Sequence, residues 1–360
     1  MGIRMIKDDG MDTMKSHRLY LVVMTLIAVV MTIANVVIFS LFIFDRGRYQ
    51  ETSGDSSGVL TDSDYNKDED NDYVKDSDRR TAEELKQEIK KSMEEGKGTI
   101  SLLRELFPEN VVVYQSNKYL FLPVYDKLAK NDIRQENIKV LTNGEIQYQE
   151  NGKVVSEKGI DVSRYQGEID WDKVAADGVK FAFIRVGFRG YGTGAIVLDE
   201  NFEANIKGAT AAGIKVGVYF FSQAINTKEA VEEAEFVLDH IKGYQLDYPV
   251  VFDTEDIVNE DSRTEGLTTE ELTDITLAFC EAIEEAGQTP MIYANLRWFT
   301  MSLDMTKLEK YEKWYAYYDS QMYFPYKISI WQYTESGQVD GINGNVDLNI
   351  SIHGGKNEDE

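Results

Sequence analysis

Cysteine and histidine are nearly missing from this sequence. Its 360 residues include one cysteine, Cys280, and three histidines, His17, His240 and His353. One cysteine cannot form an internal disulfide or a cysteine-rich zinc site. No histidine lies at a predicted strand end, which argues against Ser-His-Asp and histidine-metal chemistry. Catalysis would therefore use carboxylates, which are abundant, and we expect no metal and no cofactor.

Positive charge and proline are also scarce. Lysine and arginine total 38 against 63 aspartates and glutamates, for a net charge of −25. A phosphate backbone would be repelled by this surplus, so nucleic acid is excluded as a partner. With five prolines and 42% hydrophobic residues, the chain as a whole is neither collagen-like nor disordered.

One long hydrophobic run is present near the N-terminus. Residues 19–44 contain no Asp, Glu, Lys or Arg and can cross a hydrocarbon layer of about 30 Å as a helix. A cleaved signal peptide is the alternative, but residues 45–48 offer no small-residue cleavage site. More basic residues precede the run than follow it, which predicts a cytoplasmic tail at 1–18 and an extracytoplasmic remainder. The sequence thus predicts a single-pass membrane protein.

Two segments separate this run from the rest of the chain. Residues 45–79 are rich in Ser, Gly and Asp, which predicts an acidic disordered linker. A capping box at Thr81 and Glu84 then predicts a helix, and a second helix runs through Leu106. Strand-like runs at 111–115 and 119–124, with Asn-Gly pairs at 143–144 and 151–152, indicate hairpins. We expect a small α+β domain over 80–155, without catalytic features, that could dock a partner in a membrane complex.

Residues 156–352 alternate strand-like and helical patterns, and residues 353–360 form a flexible tail. Helix starts are predicted at Asp170, Asp199, Thr227 and either Thr268 or Thr269, and helix ends at Gly213, Gly243 and Gly287. Strands joined by helices predict a parallel barrel, irregular here because the last three strands leave no room for helices. The predicted strands are 158–163, 179–188, 214–223, 248–256, 289–296, 313–318, 328–334 and 345–350.

Carboxylates recur at the carboxyl ends of these strands, where barrel active sites lie. Asp253 and Glu255 are two residues apart, so a strand would direct both to one side and raise one pKa enough for a general acid. A solvated pair is the alternative, but Val250–Phe252 indicates a strand buried on both faces. The other candidates at strand ends are Asp161, Arg185, Tyr219, Tyr293, Asn295, Asp319, Trp331, Tyr333 and Asp347.

Aromatic residues accompany these acids. Tyrosine and tryptophan faces pack on sugar rings while carboxylates cleave glycosidic bonds, so the combination suggests a carbohydrate site. Taken singly, Tyr219 and Trp331 are equally consistent with core filling.

Four motifs in order carry a resemblance to a known family. The segments KGIDVSRYQG (158–167), VVFDTE (250–255), IWQY (330–333) and GNVDLN (344–349) resemble the family 25 glycoside hydrolases, the Chalaropsis-type lysozymes. The resemblance covers about residues 157–352. It implies a flattened (β/α)5(β)3 barrel that hydrolyses the β-1,4 bond between N-acetylmuramic acid and N-acetylglucosamine in peptidoglycan.

The same resemblance implies roles for individual residues. Glu255 would protonate the leaving oxygen, and Asp253 would orient the substrate acetamide or assist a water molecule. Asp161 and Asp347 would complete an acidic floor, with Tyr165 among the substrate-binding residues. Two alternatives stay open: a non-catalytic glycan-binding or scaffold protein, and a component of a membrane complex that cuts locally.

Overall fold

The structure is a computed structural model that describes residues 70–257 and 262–352, with side chains from residue 82 onward. Its contacts form one compact unit that ends at Arg80 and another that begins at Thr81. The predicted tail 1–18, the hydrophobic run 19–44, most of the linker 45–79 and the tail 353–360 lie outside the described residues. Within the described part, no helix is both long enough and apolar enough to cross a membrane.

The first described helix is longer than the sequence predicts. Helix α1 spans Asp70–Glu94, and α2 spans Thr99–Leu106. Helix α1 therefore begins before Thr81, and the predicted capping box is not its start. No proline or glycine lies between residues 70 and 81, so nothing in this stretch of sequence interrupts a helix.

Two small antiparallel sheets follow, as predicted for residues 80–155. The turn between β1 and β2 places Ser116 and Asn117 at φ of 48° and 60°, and Asn151 and Gly152 at the next tight turn have φ of 50° and 77°. Such left-handed pairs favour two-residue hairpins, so the hairpin signals in the sequence are confirmed. The strands are β1 (Asn110–Gln115), β2 (Lys118–Pro123), β3 (Ile138–Val140), β4 (Ile146–Glu150) and β5 (Lys153–Val154).

The remaining strands form a closed barrel. The sheet order is β6-β14-β13-β12-β11-β10-β9-β7-β8, and an additional β6–β7 pairing closes the ring. Strand β8 is a hairpin appended to β7, and β14 runs antiparallel to both neighbours while the other ring pairs are parallel. The strands are β6 (Glu157–Val162), β7 (Phe181–Arg189), β8 (Ile196–Leu198), β9 (Lys215–Phe221), β10 (Val250–Asp253), β11 (Pro290–Asn295), β12 (Glu312–Ala316), β13 (Ile330–Gly337) and β14 (Val346–Ser351).

Helices join the first five ring strands, and the predicted eight-stranded barrel is confirmed. They are α3 (Trp171–Ala176), α4 (Phe202–Ala211), α5 (Thr227–His240) and α6 (Thr269–Glu285), followed by a π-helix at Trp298–Ser302. Two predicted caps hold: Asp170 accepts the Lys173 N–H, and Thr268 forms a capping box with Glu271. Two are wrong: Asn226 caps α5 in place of Thr227, and Asp199 lies before the Asn201 cap of α4.

Residues 81–155, which we call the small domain, belong to the same compact unit as the barrel and cover barrel strands that lack helices. Arg104 Nη1 donates to Tyr317 Oη at 2.6 Å, and its guanidinium lies 3.6 Å from the ring centre of Tyr323. The Val112 N–H donates to Tyr323 Oη at 2.7 Å. Side chains of both parts, including Ile146 and Trp331, belong to one hydrophobic core. A strand face must be buried by a second layer, and here the small domain supplies that layer.

Candidate active site

Four acids predicted from the sequence line one cavity at the carboxyl ends of the parallel strands. Its volume is about 590 Å³. Asp161 belongs to β6 and Asp253 ends β10, whereas Asp347 lies near the start of the antiparallel β14. Glu255 follows β10 in a loop, so the strand ends earlier than predicted, yet both members of the Asp253–Glu255 pair face this acidic cavity.

Asp161 is held by two side-chain amides. Its Oδ2 accepts hydrogen bonds from Gln332 Nε2 and Asn349 Nδ2, both at 2.8 Å. Gln332 Oε1 in turn accepts from Tyr293 Oη at 2.7 Å, and Asn349 Oδ1 accepts from Trp314 Nε1 at 2.8 Å. Each amide is therefore fixed from both ends, and both direct their N–H groups at Asp161.

Burial and like charge shift the four acids. Burial raises the pKa of Asp161 to about 6, although its two amide hydrogen bonds oppose the shift. Burial, together with the charges of Asp161 and others, raises the pKa of Glu255 to about 7 and that of Asp347 to about 8. Asp347 lies directly opposite Asp161 in the β14–β6 pair. Burial and the Glu255 charge also raise the pKa of Asp253 well above its usual range.

This order of pKa values distinguishes the acids. Asp161 is the one stabilised in its charged form by donated hydrogen bonds, whereas Asp253 Oδ1 is buried with no partner among the described residues. Asp161 therefore ionises most readily, and Glu255 is partly protonated near neutral pH.

Four of the predicted binding residues line the acidic cavity: Tyr165, Arg185, Tyr219 and Tyr293. Arg185 does not pair with the catalytic acids, because its Nε and Nη2 contact Asp199 Oδ2 at 2.8 and 2.7 Å. Tyr165 is largely exposed, and the Arg185 guanidinium lies 5.1 Å from its ring centre. The open face of Tyr165 is available to a ligand.

Four other predicted binding residues do not line the acidic cavity. Trp331 and Tyr333 lie on the outer face of β13, since side chains alternate along a strand and Gln332 faces inward. Asn295 Oδ1 accepts the Trp298 N–H at the start of the π-helix. Asp319 Oδ1 accepts the Ser320 and Gln321 N–H groups in an exposed turn. None of these four lines the acidic cavity, and their part in substrate binding stays a prediction.

Several cavity residues were missed from the sequence. Gln332 lies inside the IWQY motif between two aromatic residues, and alternation along β13 is the signal that separates it from them. Trp314 and Tyr318 both lie in the predicted sixth strand, 313–318, and Glu335 lies on β13 between Thr334 and Gly337, where the register with β14 shifts. Trp314 stacks on Phe183 with ring centres 4.5 Å apart and fills the inside of the barrel.

A second group of charges, with Arg189 and Glu233 buried and Arg263 and Glu229 half-buried, lies at the acidic cavity, which Arg189 also lines. Arg189 Nε donates to Glu233 Oε1 at 2.6 Å, and Ser222 Oγ donates to Glu233 Oε2 at 2.6 Å. Arg263 binds both oxygens of Glu229 at 2.8 and 2.9 Å. We call Arg189, Arg263, Glu229 and Glu233 the Arg–Glu network.

Comparisons with known proteins agree on one family. The model described as "Glycosyl hydrolases family 25" matches residues 160–342. Uncharacterized protein YegX of Escherichia coli K12 is 30% identical over 201 residues, which cover 53% of this chain and 68% of the relative. Lysozyme M1 of Streptomyces globisporus is 28% identical over 202 residues, covering 53% of this chain and 66% of that protein.

A solved structure shares the fold. The modular autolysin LytC from Streptococcus pneumoniae, determined in complex with a synthetic peptidoglycan ligand, aligns with a TM-score of 0.51 and 22% identity. The alignment covers 67% of this chain and 66% of LytC. At this identity the likeness concerns the fold alone.

Proposed function

The chain belongs to glycosyl hydrolase family 25, and we propose that it is a muramidase that cuts peptidoglycan strands. The bond would be the β-1,4 link between N-acetylmuramic acid and N-acetylglucosamine. One observation carries the proposal: four carboxylates face a single cavity, and none has an ion-pair partner within the described ranges. Buried acids without cationic partners are typical of catalytic sites.

We assign the proton donor to Glu255. Its pKa of about 7 leaves it partly protonated near neutral pH, as a general acid must be. It would give its proton to the glycosidic oxygen as the bond from that oxygen to C1 breaks. Water then supplies the new hydroxyl on C1, and its released proton returns to a carboxylate.

We assign electrostatic stabilisation to Asp161. Positive charge develops on the sugar ring during glycoside cleavage, and a fixed carboxylate nearby lowers the energy of that state. Asp161 has the lowest pKa of the four acids, about 6, and two amides hold it in place. The pKa of Asp347 is about 8, so Asp347 would be largely protonated and could donate a hydrogen bond to a substrate oxygen such as the acetamide carbonyl. Burial and the Glu255 charge raise the pKa of Asp253 as well, and we assign Asp253 to orienting the same acetamide group.

The full chain tests this proposal on purified peptidoglycan. We expect new reducing ends, and after borohydride reduction the terminal sugar should be the alcohol of N-acetylmuramic acid. Glu255→Gln serves as the matched control and should release few ends. Reduced N-acetylglucosamine would identify a different bond. Strand binding without new ends, by the wild-type chain, would favour the non-catalytic alternative.

We further propose that residues 19–44 anchor the protein in the cell membrane, with the barrel outside the cytoplasm. The supporting observation is the charge-free run flanked by more basic residues on its N-terminal side. The cell-associated protein should keep its full 41.0 kDa and resist carbonate extraction, and protease added outside should cut within residues 45–79. A soluble product that begins after residue 44 would contradict the anchor.

A further inference from the structure

A second groove adjoins the acidic cavity, and the small domain forms one of its sides. Its volume is about 440 Å³, within the usual range for ligand sites. One side is the β3–β4 turn and a second is the segment after β12, while the outer face of β13 closes the third. We call it the side groove; the residues used below are Asn143, Tyr318, Asp319, Ser320, Thr334 and Ser336.

Tyr318 connects the side groove to the catalytic acids. It lines both the side groove and the acidic cavity, and 50% of the residue is exposed. Its hydroxyl donates to Gln332 Oε1 at 3.0 Å, and Gln332 Nε2 donates to Asp161. The Tyr318 ring is thus held in position between the side groove and the acidic cavity. A ligand in the acidic cavity can continue past this ring into the side groove.

The chemistry of the side groove suits a sugar. Its floor includes the buried apolar residues Ile146, Tyr333 and Leu348, whereas exposed amide, hydroxyl and carboxylate groups form its rim. A pyranose presents the same combination of an apolar C–H face and a ring of hydroxyls. Asp319 on the rim disfavours a phosphate, and a groove of this size is too small for a stable protein interface.

We propose that the side groove binds sugars of the same glycan strand that extend beyond the cleaved bond, so the small domain completes the substrate site. This inference rests on the proposed function, since it takes the strand in the acidic cavity to be peptidoglycan. It also gives Asp319 a place in substrate binding, outside the cavity to which the sequence assigned it. The strand would cross Tyr318 and lie between the β3–β4 turn and β13.

The test compares strand lengths. Peptidoglycan strands freed of their stem peptides are separated into tetrasaccharides and long strands, and kcat/KM is measured for the full chain on each. Ser320→Trp adds a bulky ring at a residue that lines the side groove and does not line the acidic cavity. Ser101→Trp, on the exposed face of α2, is the matched control.

We expect the wild type and Ser101→Trp to have a higher kcat/KM on long strands than on tetrasaccharides. In Ser320→Trp, kcat/KM on long strands should fall about tenfold, which is the contribution of one good ring contact, while kcat/KM on tetrasaccharides should change little. An unchanged preference for long strands in Ser320→Trp would overturn the inference. So would a loss seen only on peptide-bearing strands, since the occupant would then be the peptide.

A binding measurement separates this inference from the proposed function. Dissociation constants for both strand lengths are measured with Glu255→Gln, alone and combined with Ser320→Trp. Tighter binding of long strands that Ser320→Trp abolishes supports the side groove even where no strand is cleaved. Equal affinity for both lengths overturns it, whereas absent cleavage with length-dependent binding overturns only the proposed reaction.

Discussion

Two groups of buried and half-buried carboxylates lie side by side in this barrel and differ in their partners. In the Arg–Glu network, arginine contacts both glutamates, with Arg263 holding both oxygens of Glu229. In the acidic cavity, Asp161 accepts hydrogen bonds from two amides, none of the four acids has an ion-pair partner among the described residues, and the nearby Arg185 pairs with Asp199. Burying a charge without a partner costs free energy, so a cluster of this kind indicates function, whereas paired charges indicate structure.

The pKa of Glu229 agrees with this division between paired and unpaired acids. Burial alone would raise the pKa of Glu229, but hydrogen bonds from Arg263 and the Ile225 N–H lower it below its usual range. Asp347 has no such partner, and its pKa rises to about 8. Glu233 is intermediate: complete burial outweighs its bonds to Ser222 and Arg189 and raises its pKa to about 7. Matched substitutions in the two groups can therefore separate catalytic from structural acids.

The largest effect should come from Glu255→Gln, which keeps the shape of the side chain and removes its proton. General acid catalysis contributes about 10² to 10⁴ in rate, so reducing-end release should fall by that factor. The free energy of unfolding should stay the same or rise, because an unpaired buried acid is gone. Turnover near the wild-type rate, in a folded variant, would remove Glu255 from the role of acid.

Glu233→Gln is the same change in the Arg–Glu network and should act on stability. Arg189 would lose its charged partner in the interior, at a cost of about 3 kcal/mol in the free energy of unfolding, the low end for broken buried pairs. We take the low end of that range because Arg189 keeps a second carboxylate nearby: Glu229 Oε2 lies 3.8 Å from Arg189 Nε. Urea unfolding measures the change. A stable but inactive Glu233→Gln protein would contradict the division into two groups.

Asp161→Asn tests the charged acid of the cavity. The new amide oxygen can still accept from Gln332 and Asn349, so the fold should survive while the negative charge is lost. We expect kcat to fall by about 10² with a smaller change in KM, as for a group that acts mainly in the transition state. A variant that keeps kcat and loses strand affinity would make Asp161 a binding residue.

Asp347→Asn should change how stability depends on pH. Because the pKa of Asp347 is about 8 in the fold and near 3.8 when unfolded, its ionisation removes stability as pH rises between those values. The variant lacks this loss, so its advantage in unfolding free energy should be absent at pH 4 and present at pH 8. Denaturant midpoints at both pH values measure it, and an equal difference at the two would refute the shift.

The smallest effect is expected from Glu335→Gln at the edge of the acidic cavity. The Glu335 charge is one of the causes that raise the pKa of Glu255 to about 7. Removing it lets Glu255 ionise more easily, so the alkaline limb of the activity profile should move to lower pH. The height of the profile at acidic pH serves as the internal control. An alkaline limb that moves upward would show that Glu335 does not act through Glu255.

Local patterns in the sequence were sufficient to predict the order of the barrel elements and the convergence of three of the acids. Strand and helix periods, with glycines such as Gly213 and Gly287 at positive φ just after helices, predict the order of barrel elements. Since parallel strands present their carboxyl ends on one face, the convergence of Asp161, Asp253 and Glu255 follows from that order alone. These features depend on neighbours in the chain, which a single sequence contains.

Tertiary structure decided which face each side chain takes and what covers it. Trp331 and Tyr333 were expected in the acidic cavity, but the register of β13 turns them outward, where the small domain buries them. Gln332 between them becomes the link from Tyr293 and Tyr318 to Asp161. The alternation of side chains along a strand is a local property. Which of the two alternating sets points into the barrel depends on the pairing of β13 with β12 and β14 and on the layer that covers it. Those contacts join residues far apart in the chain, so only the folded molecule determines them.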